Sequence, residues 1–361
     1  MTIERNDFLK ALKRVMPGVE TGNVILEGAD TFIFADGYIH SYNDNISVSV
    51  PFAITNKAGE NMSGALKAKD FYDLISRLKG ENFKLIPKST EWTIKSGNAQ
   101  AELTLLESSI IDHVKNLLPT KIKWMSLPDR FIEGISICRF SSNKSVLAGI
   151  FVDKNNIIST DEIRINSYKM DGEISESFWI SDSASAELSK LNNPKKYFIS
   201  KSWVHFLTED KDIFSCKRLA QDKYPVAKIQ KLAESHAKEK GDISNTLPSG
   251  LIDAVNRAAA LSQNIESFDT IKLTFSQEGI EVFSQRPSGK YTENVEWEKP
   301  FKKSFDPISI FADYAMIENG IKYSKSFYLK ETTQKEKKGT RIIFVHENGI
   351  QLINTFDGGQ E

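Results

Sequence analysis

The sequence predicts an α+β fold in which one unit, two helices packed on antiparallel strands, occurs three times in tandem. Three observations lead there. The chain has 361 residues, room for two or three domains at roughly 100–200 residues each. A pattern of strand, turn, strand and further strand recurs at Thr31–Val50, Leu147–Tyr168 and Thr270–Trp297. Each copy turns on a dipeptide suited to a two-residue hairpin, Asp36-Gly37, Asn155-Asn156 and Glu278-Gly279, since such pairs tolerate positive φ. The turns lie about 120 positions apart, about one third of the chain, as a repeat requires.

Each hairpin follows a helical stretch with apolar residues at i, i+3, i+4 spacing. In the first unit these are Phe8, Leu9, Leu12, Val15 and Met16; in the second Phe131, Ile135 and Cys138; in the third Leu251, Ile252, Val255, Ala258 and Ala259. A second helix is expected after each hairpin, over Lys69–Gly80, Ser181–Leu191 and Asp306–Gly320. Their capping residues are read as Lys69 or Asp70, Ser181 or Asp182, and Asp306 with Pro307 at the first helical position. Alternating strands complete each unit. Unit boundaries fall at 1–121, 122–246 and 247–361, and the polar run Glu234–Gly250 reads as the clearest linker.

Hydrophobic residues are 40% and charged residues 26% of the chain, as in a globular protein. Lys and Arg total 47 against 48 Asp and Glu, which excludes a strongly basic binder but leaves local basic faces open. Two cysteines, Cys138 and Cys216, cannot build a disulfide framework; both read as core fillers in a reducing, cytoplasmic setting. No window is long and apolar enough for a membrane span, and the N-terminal stretch lacks a signal-peptide core.

Catalytic and cofactor signatures are missing. There is no phosphate-binding P-loop, no H-E-x-x-H, no paired C-x-x-C and no G-x-S-x-G elbow, so neither a cofactor nor a metal is expected. The histidines His40, His113, His205, His236 and His346 are scattered singly. Asp161-Glu162 and Asp112 are candidate acid–base carboxylates, though turn residues of this kind are ordinarily solvated. The helices carry more signal. Lys10, Lys13 and Arg14 lie opposite the apolar stripe of the first helix. Arg77 and Lys79, Arg130, Arg139 and Lys190, and Arg257 extend this pattern into later helices. Basic helices repeated across three units of a neutral protein suit sequence-independent phosphate contact. Asp313 and Glu318 make the Asp306–Gly320 stretch the acidic exception.

These residues resemble the bacterial DNA polymerase III beta sliding clamp family over essentially the whole chain. The most specific stretch is Asn256–Trp297, similar to the third clamp domain, where an R-A-A-I-L-S helix end leads into strands. Thr160, Asp161, Arg164 and Ile165 match the family's A-T-D-G-H-R-L segment; Arg218, Leu219, Tyr224 and Pro225 match R-L-[IV]-[DE]-G-x-[FY]-P-D-Y. The resemblance implies three DNA-clamp domains assembling as a head-to-tail homodimeric ring around double-stranded DNA, without catalysis. It implies a polymerase and a clamp loader as partners, docked by short linear motifs at a pocket between the second and third domains. Carried over, the pocket walls are Leu147, Thr160, Glu162, Ile163, Arg164, Ile165, Pro225, Ile229, Gln230, Asn354 and Phe356. The ring interface falls on edge strands Ala101–Leu106 and Ile271–Ser276, with Ala101, Leu103, Ala260, Leu261, Ile271 and Leu273 as its residues.

The sequence departs from the family where Gly-His becomes Glu162-Ile163 and Asp-Tyr becomes Val226-Ala227. It departs again where Thr355 replaces the tail proline and an acidic tail follows. A divergent member is implied, of the kind a phage or other mobile element encodes, with an altered pocket. Two other classes stay open: a β-rich phage structural protein, which would form trimers or fibres and ignore DNA, and an enzyme, which would need a cleft lined by coupled acids.

Overall fold

The computed structural model describes residues 1–22, 26–56, 58–115, 122–139, 145, 147–221, 224–239, 241, 243–265, 268–301, 304–334 and 337–355. Within them lie helices α1 (Arg5–Val15), α2 (Ala68–Arg77), α3 (Ser109–Lys115), α4 (Phe131–Cys138), α5 (Asp182–Leu188), α6 (Val226–Lys238), α7 (Leu251–Ala259) and α8 (Tyr314–Tyr323). Apart from a 3-10 turn at Met16–Gly18, the rest of the regular structure among these residues is antiparallel sheet, so the fold is α+β.

The apolar spacing read from the sequence is what the helices bury. Phe8, Ala11, Leu12 and Val15 of α1 are buried, and Glu4 caps the helix by accepting from Asn6 N at 3.1 Å and Asp7 N. Phe8 anchors a ring cluster, its centroid 4.8 Å from Phe52 and 5.8 Å from Phe71. Full burial of one such ring stabilises by roughly 1.5–3 kcal/mol. Leu251, Val255 and Ala258 of α7 do the same beside Leu273, Val282 and Ile317.

The chain forms two compact units, Met1–Leu127 with Ser183–Leu219, and Pro128–Asp182 with Ala220–Glu361. The first holds a four-stranded sheet ordered Thr2–Glu4, Asn82–Pro87, Glu91–Ser96, Ala99–Thr104. Its larger, eight-stranded sheet runs Gly64–Lys67, Thr31–Ala35, Tyr38–Tyr42, Ile46–Pro51, Ile213–Lys217, Trp203–Thr208, Pro194–Ile199, Met125–Ser126. The second unit holds an eight-stranded sheet running Phe178–Ile180, Ile150–Asp153, Asn156–Thr160, Arg164–Lys169, Gly349–Asn354, Lys337–His346, Ser326–Gln334, Ile243–Thr246. A five-stranded sheet of Gln263–Ile265, Phe268–Phe275, Gly279–Arg286, Gly289–Glu296 and Ile308–Asp313 completes it. Strands far apart in sequence meet in both large sheets: Val48 lies opposite Phe214, and Ile165 opposite Leu352.

Several local expectations are corrected. Only the first hairpin turns as read, with φ +50° at Asp36 and +82° at Gly37. The second turns one residue earlier, on Lys154-Asn155, with Lys154 at φ +51°. At the third, Gly279 has no positive φ; a side chain there would strike the Val295 carbonyl, so close approach explains the glycine. Residue Lys67, not Lys69 or Asp70, precedes α2, and Asp70 sits in its first turn. The stretch read as one helix from Asp306 begins as a strand. Ile308–Asp313 alternates in burial along Phe268–Phe275, and Asp313 caps α8 by accepting from Ala315 N at 3.0 Å and Met316 N at 3.2 Å. The polar run Glu234–Gly250 is not a linker throughout, since its start ends α6 and Ile243–Thr246 pairs with Ser326–Leu329.

Candidate functional site

In the second unit, the turn joining Asn156–Thr160 to Arg164–Lys169 gathers the residues matched to the T-D-x-x-R segment. Asp161 is its organiser. Its Oδ1 accepts from Arg164 N at 2.7 Å and Ile163 N at 3.3 Å, and its Oδ2 accepts from Arg164 Nε at 2.8 Å. The guanidinium Nη2 lies 2.6 Å from Oδ2, with both side chains at most 5% exposed. Thr160 Oγ1 donates to Arg164 O at 2.8 Å and accepts from Glu162 N at 3.2 Å. Closing so tight a turn leaves Glu162 exposed at φ +72°, the position at which the family carries glycine. Asp182 stands near this pair: burial pushes its carboxyl up to about 6, Arg139 and Arg164 draw it down, and Asp161 raises it.

Helix α6 packs over the same strands. Ile229 and Ala233 are buried, and Ala233 clusters with Ile165, Tyr328, Ile343 and Leu352. Gln230 Nε2 donates to Asp153 Oδ2 at 3.2 Å. Pro225 is exposed at the start of α6. Asn354 N donates to Ile163 O at 2.9 Å, while its Oδ1 accepts from Arg341 Nε at 2.7 Å. The structure therefore brings together Thr160, Glu162, Ile163, Arg164, Ile165 and Asn354 through strand pairing, and Ile229 and Gln230 through α6. Leu147 is half-buried ahead of Ile150–Asp153, where Leu147 N donates to Ser145 Oγ at 3.1 Å. Phe356 lies outside the described residues.

Sequence reasoning missed the groups that hold α6 in place. The buried His236 lies on the inner face of α6; its carbonyl accepts from Tyr328 OH at 2.5 Å, and its Nε2 lies 3.4 Å from Arg341 Nη1. Burial lowers its pKa. No local signal marks Arg341 or Tyr328, since their partners lie 105 and 92 residues away.

The candidate DNA-contacting cations differ in what holds them. In the first unit, Lys13, Arg14 and Lys190 line one cleft of about 340 Å³. Arg14 lies 3.1 Å from Asp212 and 3.6 Å from Asp210; Lys190 lies 2.6 Å from Glu187, and Lys10 lies 3.0 Å from Asp7. Lys13, Arg77 and Lys79 are exposed without a carboxylate partner among the described residues. In the second unit, Arg130 forms two 2.7 Å hydrogen bonds to Glu133 and reaches Glu347 at 3.3 Å. Arg257 grips Glu293 at 2.7 and 3.0 Å and donates to Tyr291 OH at 3.0 Å. Arg139 is half-buried after α4. The counter-carboxylates Asp212, in the turn before Ile213–Lys217, and Glu293, on Gly289–Glu296, are distant in sequence from Arg14 and Arg257 and leave no pattern there.

The expected interface residues divide. Ala101 and Leu103 lie on Ala99–Thr104, an end strand of its sheet. Ala260 is exposed at the end of α7, and Leu261 stands beside Gly289. Ile271 and Leu273 are corrected. Phe268–Phe275 is an interior strand, flanked by Gly279–Arg286 and Ile308–Asp313, and both side chains are 1% exposed in the core. The end strand on this side is Gly289–Glu296.

Among the described residues, no group of three His, Cys, Asp or Glu is placed to hold a metal ion, and no helix is long and apolar enough to cross a membrane. This arrangement of helices and antiparallel sheets is the fold of a DNA sliding clamp. Solved beta clamps match it almost end to end. A putative DNA polymerase III beta subunit from Eubacterium rectale superposes with a TM-score of 0.74 at 13% identity, covering 99% of each chain. The Helicobacter pylori beta clamp, solved bound to a DNA ligase peptide, gives 0.73 at 17% identity and the same coverage. The Pseudomonas aeruginosa DNA polymerase sliding clamp gives 0.71 at 14% identity, again covering 99% of each chain. No protein-family model and no curated protein matches the sequence.

Proposed function

We propose that this chain is a DNA sliding clamp, a divergent member of the beta clamp family without catalytic activity. Three clamp domains, 1–121, 122–246 and 247–361, would form half of a head-to-tail dimeric ring around duplex DNA and tether a polymerase. The observation that carries this reading is the match to beta clamps over 99% of both chains at a TM-score of 0.74. Function then follows from topology. A ring holds DNA without reading bases, so its inner contacts can be weak, screened and directed at phosphate. The end strands Ala99–Thr104 and Gly289–Glu296, with Ala260 and Leu261, are the surfaces that ring closure would join. The Thr160–Ile165 turn with α6 and Asn354 is the docking site for short partner motifs. In support, the H. pylori clamp binds a ligase peptide.

Negative-stain electron microscopy of the protein near micromolar concentration tests the proposal. Closed rings with a duplex-sized hole are expected. Crescents would keep the clamp domains but assign closure to DNA or a loader; globules or fibres without either shape would overturn the reading.

A further inference from the structure

The cleft in the first unit is formed by the last turn of α1, the residues closing α5, and the turn between strands Trp203–Thr208 and Ile213–Lys217. Its charged walls are mixed. Lys13, Arg14 and Lys190 face Glu187, Asp210 and Asp212. Glu187 is occupied with Lys190 at 2.6 Å, and Lys13 has no carboxylate partner among the described residues. Asp210 is largely exposed, 3.6 Å from Arg14.

Asp212 differs from the other acids. Its side chain is 9% exposed, and its Oδ2 takes Arg14 at 3.1 Å. Its Oδ1 is buried with no hydrogen-bond partner. An ionised carboxylate with one oxygen unbonded is costly to bury. Burial accordingly pushes its pKa up to about 6; Arg14 draws it down and Asp210 raises it. Near neutral pH, then, both protonation states are within reach. Ionised, the residue holds Arg14 and adds negative charge to the cleft. Protonated, it loses the charge that holds Arg14.

We propose that this cleft is a phosphate-contact site for the DNA backbone in which Asp212 is a built-in competitor: ionised, it keeps Arg14; protonated, it releases Arg14 to phosphate. The source of the phosphate rests on the clamp reading above. Lys13 and Lys190 supply the remaining positive charge. The inner surface would be self-screened at neutral pH, and its hold on DNA would tighten as pH falls.

Fluorescence anisotropy with a short linear duplex, over a salt series at about pH 5.5 and about pH 7.5, reads the effect on either side of the Asp212 equilibrium. Wild type is expected to bind several-fold more tightly at the lower pH. Asp212→Asn should bind at the higher pH as wild type does at the lower, with the pH dependence gone and the salt slope steeper by ~0.9, one phosphate contact. Asp210→Asn, an exposed change that leaves the fold intact, should give a smaller gain of the same sign. Adding Arg14→Gln to Asp212→Asn should cancel the gain. Inorganic pyrophosphate binding by calorimetry separates the two readings. Pyrophosphate binding with the Asp212 pattern but no duplex binding would keep the anion site and remove the clamp function. Duplex binding that neither Asp212→Asn nor Asp210→Asn alters would keep the clamp and overturn the competitor.

Discussion

Glu162 holds a backbone conformation, φ +72°, that costs a residue with a β-carbon roughly 1 kcal/mol relative to glycine. The cost is met by the hydrogen bonds that Asp161 and Thr160 gather around it. Glu162→Gly is therefore expected to raise unfolding free energy by about 0.5–1 kcal/mol in urea titration; a loss would show that the carboxylate contributes contacts beyond the turn. The buried histidines set a second residue-scale expectation. His205 and His346 are both pushed down to about 4 by burial, from an ordinary 6.5. The unfolded chain takes up their protons first, so their contribution is complete above about pH 6.5 and lost as pH falls toward 4. Asp182 and Asp212, raised from 3.8 to about 6, act oppositely, favouring the fold as pH falls through the same range. The His346 ring is buried and stacks on Tyr168. His346→Phe should thus raise the melting temperature more at pH near 5 than near 7.5. An equal shift at both values would remove His346 as an acid-sensitive group. The Thr160–Arg164 segment was reached through its likeness to the T-D-x-x-R pattern, and its hydrogen bonds are local. The contacts of His236 with Arg341 and with Tyr328 join segments 105 and 92 residues apart, and nothing in either segment marks the other.

At the scale of elements, α8 shows why a helix start was misplaced. Asp306 followed by Pro307 resembles a helix N-terminus, yet Ile308 and Ile310 alternate with polar or half-buried neighbours and favour a strand. The working cap lies seven residues on at Asp313. Asp313→Ala should cost about 1 kcal/mol, read by thermal or chemical unfolding; a change at Asp306 should cost far less, and the reverse ranking would restore the earlier start. Helix α6 was hidden for another reason. Its inner face is Ile229, Ala233 and the buried His236, so a histidine interrupts the apolar stripe while its Lys and Glu residues give it the composition of a linker. Helices α1, α4 and α7 were legible because their stripes contain no polar member.

At the scale of the whole molecule, the α+β class was readable from the alternation of helical and strand periodicities, but which strands end each sheet was not. Ile271 and Leu273 have the alternation of any strand, and only the extra pairing with Ile308–Asp313 makes their strand interior. Leu261, half-buried beside the end strand Gly289–Glu296, is the better probe. If the proposed ring dimer forms, Leu261→Glu should convert it to monomer in sedimentation velocity, leaving circular dichroism unchanged; a dimer that survives the change would move the interface elsewhere.

The two long sheets also bear on how the chain is made. Ile46–Pro51 pairs with Ile213–Lys217, and Arg164–Lys169 pairs with Gly349–Asn354. During synthesis each earlier strand must wait, edge open, while well over a hundred residues are added. Such distant pairings are slow to close and expose hydrogen-bonding edges meanwhile. The nascent chain is consequently most vulnerable to strand exchange with its neighbours before Ile213 emerges, and again until Gly349–Asn354 is complete. A ribosome stalled between those points would release a protein with correct local structure and an unsealed edge.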